Sequence, residues 1–241
     1  KNREQLPPLP EAYDHPDFLT QASPFIRSAM EAKFYGGEPF LIPLYFELWE
    51  HFIETNPGAL LSITTNATVF NKRVQRVLEN LNVHLVISID SFEPTTYESI
   101  RKNARYDRVM QNLETMDHLV RQRGQHLTLS ICPMQINWRE IPGIFRKANQ
   151  RQWFIHVNTV WFPMEQSLRF LPAGKLQEIT DYLSDQAPAN WQGPIGHDNQ
   201  EAYRGLIPPD KFPMAVVMID IDPHWVDVNV HPAKREVRFQ E

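Results

Sequence analysis

The chain has 241 residues, 42% hydrophobic and 22% charged, which is enough for one large α/β domain or two smaller ones with a sizeable core. Its formal net charge of -5 gives no reason to expect a nucleic-acid surface. A single cysteine, Cys132, excludes an internal disulfide framework and any multi-cysteine metal site built by this chain alone, and it points to a reducing, cytoplasmic compartment. No apolar run approaches a membrane span, and the polar, proline-rich stretch from Lys1 to Pro10 does not read as a signal peptide.

Residues 1–30 read as a loop followed by a short helix with Phe18, Phe25, Ile26 and Met30 on its apolar face. A β-α rhythm then sets in. Ala32–Tyr35 is a short strand and Leu41–Glu54 a helix with Leu44, Leu48 and Phe52 on one stripe. Leu60–Thr64 is the second strand. Asn71 caps a helix whose Val74, Val77, Leu78 and Leu81 fall at i, i+3, i+4 and i+7. His84–Ile89 is the third strand. Pro94 opens a helical stretch carrying Val109, Leu113, Met116 and Val120, which Gly124 stops. Leu127–Ile131 is the fourth strand, and Asn137 with Glu140 has the spacing of a capping box before Ile141, Ile144, Phe145 and Ala148. Trp153–Val160 is the fifth strand and Lys175–Leu183 a shorter helix.

Alternating β and α segments imply a parallel sheet flanked by helices, with strands apolar enough to be buried on both faces. A full or partial (β/α) barrel and an open doubly wound sheet both fit. In either, ligand chemistry gathers at the C-terminal ends of the strands. The polar groups fall there: Gly36, Gly37 and Glu38 after the first strand, Thr65 and Asn66 after the second, Ser88 and Asp90 at the third, Asn158 and Thr159 at the last. Gly36 and Gly37 allow positive φ and close approach of a ligand. Glu38 is an acceptor-only anion suited to an ammonium group, and Pro39 sets φ for the next helix. Taken singly, each has a plainer reading: Ser88 and Asp90 as a strand end, Arg101 as a solvated helix residue, Asn158 as a partner for backbone groups.

The ordered set Gly36-Gly37-Glu38-Pro39-Phe40, Thr64-Thr65-Asn66, Ser88-Ile89-Asp90-Ser91, Tyr97-Glu98-Ser99-Ile100-Arg101, Cys132-Pro133-Met134 with Asn137-Trp138, and Asn158-Thr159-Val160 resembles the radical S-adenosylmethionine enzymes of the SPASM/twitch branch. The resemblance spans residues 1–185 and implies a partial parallel (β/α) barrel. It implies that Gly36, Gly37, Glu38 and Pro39 hold the amino group of S-adenosylmethionine, that Ser88, Asp90 and Asn66 lie near its ribose or carboxylate, that Arg101 pairs with the carboxylate, and that Asn158 belongs to the same surface. The family also carries a 4Fe-4S cluster on a CxxxCxxC loop after its first strand. No such loop occurs in these 241 residues. Lys1-Asn2-Arg3-Glu4 resembles family sequence just beyond it, so the first barrel strand and the loop are expected to be absent from the N-terminus, and Cys132 is read as a core thiol.

Residues 186–200 form a Pro/Gly-rich linker. Beyond it, 213–222, 225–230 and 236–239 read as strands of a small antiparallel β fragment covering 201–241. Tyr203-Arg204-Gly205-Leu206-Ile207-Pro208, followed by the run Val226-Asp227-Val228-Asn229-Val230-His231-Pro232-Ala233-Lys234-Arg235-Glu236-Val237-Arg238-Phe239, resembles the MutL-type DNA mismatch-repair proteins. That resemblance implies that Lys234 reaches an ATP γ-phosphate, while His231 reads as structural. Three readings stand side by side. One is a radical S-adenosylmethionine domain fragment, inactive as given, with an unassigned substrate. The others are a mismatch-repair fragment linked to ATP or DNA, and a non-catalytic chimera joined from two genes.

Overall fold

The computed structural model describes residues 17–186 and two short strands at 226–227 and 238–239. Helix α1 (Phe18–Ser28) leads into strand β1 (Glu31–Phe34), and a 3-10 turn at Pro39–Leu41 precedes α2 (Pro43–Thr55). There follow β2 (Leu60–Thr65), α3 (Lys72–Asn80), β3 (Asn82–Ser88), α4 (Pro94–Ile100), α5 (Tyr106–Gln122), β4 (Leu127–Ile131), α6 (Ile141–Arg151), β5 (Phe154–Val157) and α7 (Ala173–Gln186). The five strands are all parallel and lie in sequence order β1-β2-β3-β4-β5, so each pairs with the next. That is the order of a partial (β/α) barrel, and it excludes the doubly wound alternative, which reverses strand order. In the tail, β6 (Val226–Asp227) pairs antiparallel with β7 (Arg238–Phe239). The strand expected at 213–222 lies outside the described residues.

Strands β2 and β3 are not buried on both faces. Leu61, Ile63, Val83, Leu85 and Ile87 are fully or almost fully buried, while Ser62, Thr64, His84, Val86 and Ser88 between them are half-exposed. The sequences Leu-Leu-Ser-Ile-Thr-Thr and Asn-Val-His-Leu-Val-Ile-Ser alternate at period two, the signature of a sheet covered on one side. The covered side packs on the helices through Val74, Val77 and Leu78 of α3, Val109, Leu113 and Met116 of α5, and Ile144 and Ala148 of α6. The other side is the inner face of the incomplete barrel. It carries Ser62, Thr64, His84 and Ser88 beside Leu60 and Val86, and His84 Nε2 shares a 2.8 Å hydrogen bond with Thr128 Oγ1.

Several local expectations change for identifiable reasons. On α1 only Ile26 is buried; Phe25 is 76% exposed, and Met30, which lies past the end of the helix, is 88% exposed. On α2 the buried stripe is Phe46, Trp49 and Phe52 rather than Leu44, Leu48 and Phe52. The reason is Trp49, whose ring meets Phe34, Phe40, Tyr45 and Phe46 at 5.0–5.9 Å and rotates the helix toward that aromatic cluster. The stretch after Pro94 divides into α4 and α5, because Asn103 takes a positive φ of 69° between them. Asn71 caps α3 as read, its Oδ1 accepting from Arg73 N and Val74 N at 2.9 and 3.1 Å.

Candidate functional site at the strand ends

The aromatic cluster around Trp49 is what fixes the first site element. Phe34 precedes the turn and Phe40 follows it, and both pack on Trp49, so the intervening backbone is held at each end. Gly36 and Gly37 adopt φ of +94° and +58°. A Cβ built on either would meet nothing within 4 Å. Backbone conformation therefore demands glycine here, and the space above the turn is open. Pro39 begins the 3-10 turn and Glu38 caps it, its Oε1 accepting from Phe40 N at 3.2 Å.

Glu38 also ties β1 to β2. Oε1 accepts from Thr65 Oγ1 at 2.6 Å and Oε2 from Asn66 N at 2.8 Å, in a buried setting. Thr65 Oγ1 in turn accepts from Ala67 N at 3.0 Å. The Asn66 side chain is occupied locally, its Oδ1 accepting from Thr68 N and Thr68 Oγ1 at 2.9 and 2.6 Å. The carboxylate is thus oriented by three donors before any ligand arrives. Thr65 is a site residue whose role the sequence reading did not assign. Its signal was a hydroxyl at a strand terminus, which becomes meaningful only once β1 and β2 are adjacent.

At the ends of β3 and β4 a second polar unit forms. Asp90 Oδ2 accepts from Arg101 Nε at 2.9 Å and lies 2.8 Å from Nη2, while Oδ1 accepts from Cys132 N at 3.0 Å. The Asp90 side chain is 5% exposed and that of Arg101 27%. Arg101 is accordingly not a solvated helix residue, because it pairs with Asp90. Asn137 does not form the capping box expected from its spacing. It is fully buried; Oδ1 accepts from Met134 N at 2.7 Å, and Nδ2 donates to Asp90 O at 2.7 Å and Cys132 O at 3.0 Å. Glu140 Oε2 instead accepts from Ser91 Oγ. Cys132 is partly exposed at the end of β4 rather than a core thiol. Burial and the Asp90 charge push its thiol up to about 11.

A third unit lies on the inner face. Ser88 is in register with Ser130, Asn158 Nδ2 donates to Ser130 Oγ at 2.7 Å, and His156 Nε2 is 3.1 Å from Asn158 Oδ1. The structure thus brings Gly36, Gly37, Glu38, Pro39 and Asn66 into one cluster and Asp90 with Arg101 into a second; Ser88 is in register with Ser130, which Asn158 reaches by its side chain from just beyond β5. All three stand at the C-terminal edge of the same sheet. Lys234 lies outside the described residues. Chemically, the edge offers a fixed carboxylate for a cation, a guanidinium for an anion, and neutral hydrogen-bonding groups between. Among the described residues, no group of three or more His, Cys, Asp or Glu is placed to hold a metal ion, and no helix is long and apolar enough to cross a membrane.

Comparison with known proteins gives two matches in one chain. The family model of the Radical SAM superfamily matches residues 27–148, and that of the DNA mismatch repair protein, C-terminal domain, matches residues 193–241. Among solved structures, Streptococcus suis SuiB is similar at 16% identity and a TM-score of 0.51, over 84% of this chain and 46% of that one. Native anSMEcpe with bound AdoMet is similar at 14% identity and 0.51, over 77% and 56%. At these identities the likeness is one of fold. The tail is 56% identical over 47 residues to the DNA mismatch repair protein MutL of Acidobacterium capsulatum, and 62% identical over 40 residues to that of Methanothrix thermoacetophila. The chain spans 7% of the length of each of these curated relatives.

Proposed function

The chain belongs to the Radical SAM superfamily, and from that membership we propose that residues 1–185 are an S-adenosylmethionine-binding domain whose ligand lies along the strand ends from Glu38 to Asn158. The observation that carries the reading is the Glu38 carboxylate, held by Phe40 N, Thr65 Oγ1 and Asn66 N beside two glycines in the left-handed region with open space above them. An α-ammonium group there gains a charge-assisted hydrogen bond. Arg101, anchored through Asp90 yet partly exposed, meets the α-carboxylate. Ser88, Asn66 and Asn158 supply neutral partners for the ribose. One solved neighbour holds AdoMet, which supports the ligand class.

A 4Fe-4S cluster does not fit these residues. The family's loop uses three thiolates, whereas the 241 residues contain one cysteine. The proposed role of this chain is therefore recognition of the sulfonium ligand, without reductive cleavage by these residues alone. Residues 186–200 are proposed as a linker and 201–241 as a piece of a MutL-type protein. The high identity of the tail supports a second reading for it, in which Lys234 contacts an ATP γ-phosphate; ATP-dependent protection of Lys234 from acylation checks this, and equal modification with and without ATP rejects it.

The test of the main reading is equilibrium dialysis of S-adenosylmethionine against the full chain and its Glu38→Gln variant. Losing a charge-assisted hydrogen bond of about 1.5–3 kcal/mol weakens binding by roughly tenfold or more. Absence of binding to the wild type at millimolar ligand, or equal affinity of the variant, refutes it.

A further inference from the structure

The β3–β4 ladder stops short of the site. Its last paired residues are Ser88 and Ser130, and the last backbone bond is Ile89 N to Ser130 O at 3.0 Å. Past that point parallel strands of a twisted sheet splay unless something else joins them. Here the joining is done by side chains. Cys132 N donates to Asp90 Oδ1, and both Nδ2 hydrogens of Asn137 go to carbonyls, one on each strand extension. Asn137 is itself fixed by Met134 N to its Oδ1 and by its own N to Met134 O at 3.2 Å. Residues 90, 132 and 137 thereby form a closed triangle of hydrogen bonds in which Asp90 and Asn137 are buried and Cys132 is half-buried. The Asp90 carbonyl is held by Asn137 Nδ2, while its carboxylate is shared between Cys132 N and Arg101.

We infer that Asn137 is a positioning residue for the ligand site, acting through Asp90 to aim the Arg101 guanidinium. This rests on the S-adenosylmethionine reading above. An amide is the group the position requires, because it donates twice and accepts once in a dry setting. Asn137→Asp preserves shape but sets a carboxylate against two carbonyl oxygens.

The experiment measures S-adenosylmethionine affinity by equilibrium dialysis for the full chain, Asn137→Asp and Asn137→Ser, each with a melting curve. In the Asp variant burial and the facing carbonyls raise the introduced carboxyl's pKa, so it regains a donor proton on acidification from about pH 8 to about pH 5.5. Binding falls by about tenfold at the higher pH, the loss of one aimed charge-assisted contact, and recovers toward the wild-type value at the lower. The Ser variant binds weakly at both. Wild-type affinity in either variant at the higher pH overturns the inference. Asn71→Ala, remote from the site on α3, controls for stability: it lowers the melting temperature and leaves affinity unchanged. If affinity follows melting temperature across all variants, the positioning role is refuted. A ligand-free readout separates this from the binding proposal. The Arg101 Nε–H signal in 15N NMR is protected from exchange in the wild type and loses protection in the Asn137 variants; unchanged protection overturns the inference. If protection is lost but the wild type binds no ligand, the S-adenosylmethionine reading falls alone.

Discussion

Replacing Arg101 by Met should destabilise the domain more than replacing Asp90 by Asn, and the structure says by how much. In Arg101→Met the Asp90 carboxylate keeps one donor, Cys132 N at 3.0 Å, and loses the guanidinium at 2.8–2.9 Å. With its side chain 5% exposed, water cannot replace the lost partner. Stranding one member of a buried ion pair costs about 3–5 kcal/mol, and the remaining Cys132 bond places this case at the lower end, about 3 kcal/mol. In Asp90→Asn the stranded group is Arg101, 27% exposed and able to recruit water, so the cost is about 1–2 kcal/mol. For a domain of this size a loss of about 3 kcal/mol lowers the melting temperature by about 6–12 °C. Thermal and urea unfolding followed by far-UV circular dichroism and by the fluorescence of the buried Trp49 and Trp153 measures both variants. A loss below about 1 kcal/mol in Arg101→Met, or a larger loss in Asp90→Asn, refutes the assignment of Asp90 as the desolvated member.

Other outcomes follow from single groups. Burial holds the His84 imidazole below its ordinary pKa, with Lys33 and His126 adding to the effect and Glu31 opposing it. The unfolded chain then binds the proton more readily, so stability is complete above about pH 6.5 and declines as pH falls below it toward the folded value; His84→Gln flattens that part of the melting-temperature profile relative to wild type. Cys132, pushed up to about 11, carries roughly a hundredfold less thiolate at pH 8 than a thiol at the ordinary 9.0, and iodoacetamide alkylation of the native chain should be slower by that factor than of the urea-unfolded chain. Asn71→Ala removes two N-cap bonds and costs about 1 kcal/mol, read as a lowered urea midpoint at unchanged slope.

What the amino-acid order determined by itself is everything governed by near neighbours. The cap at Asn71, the stop at Gly124 with its φ of +71°, the alternation of strands and helices, and the placing of Gly36, Gly37, Glu38, Asp90 and Asn158 at strand ends all depend on a few consecutive residues and their backbone preferences. What only the tertiary structure decided is which of these groups meet. Glu38 reaches Thr65 across 27 residues, Arg101 turns to Asp90 across 11, and Asn137 abandons its local capping spacing for Asp90 O, 47 residues away. A capping box and a strand-end strap draw on the same side-chain amide. The strap wins because a buried carbonyl without a donor costs more than a helix start that a 3-10 turn at Trp138–Glu140 can already supply. The polar inner face was hidden for a related reason: Ser62, Thr64 and His84 alternate visibly with apolar residues, but only the sheet order shows that their side lies open along three adjacent strands.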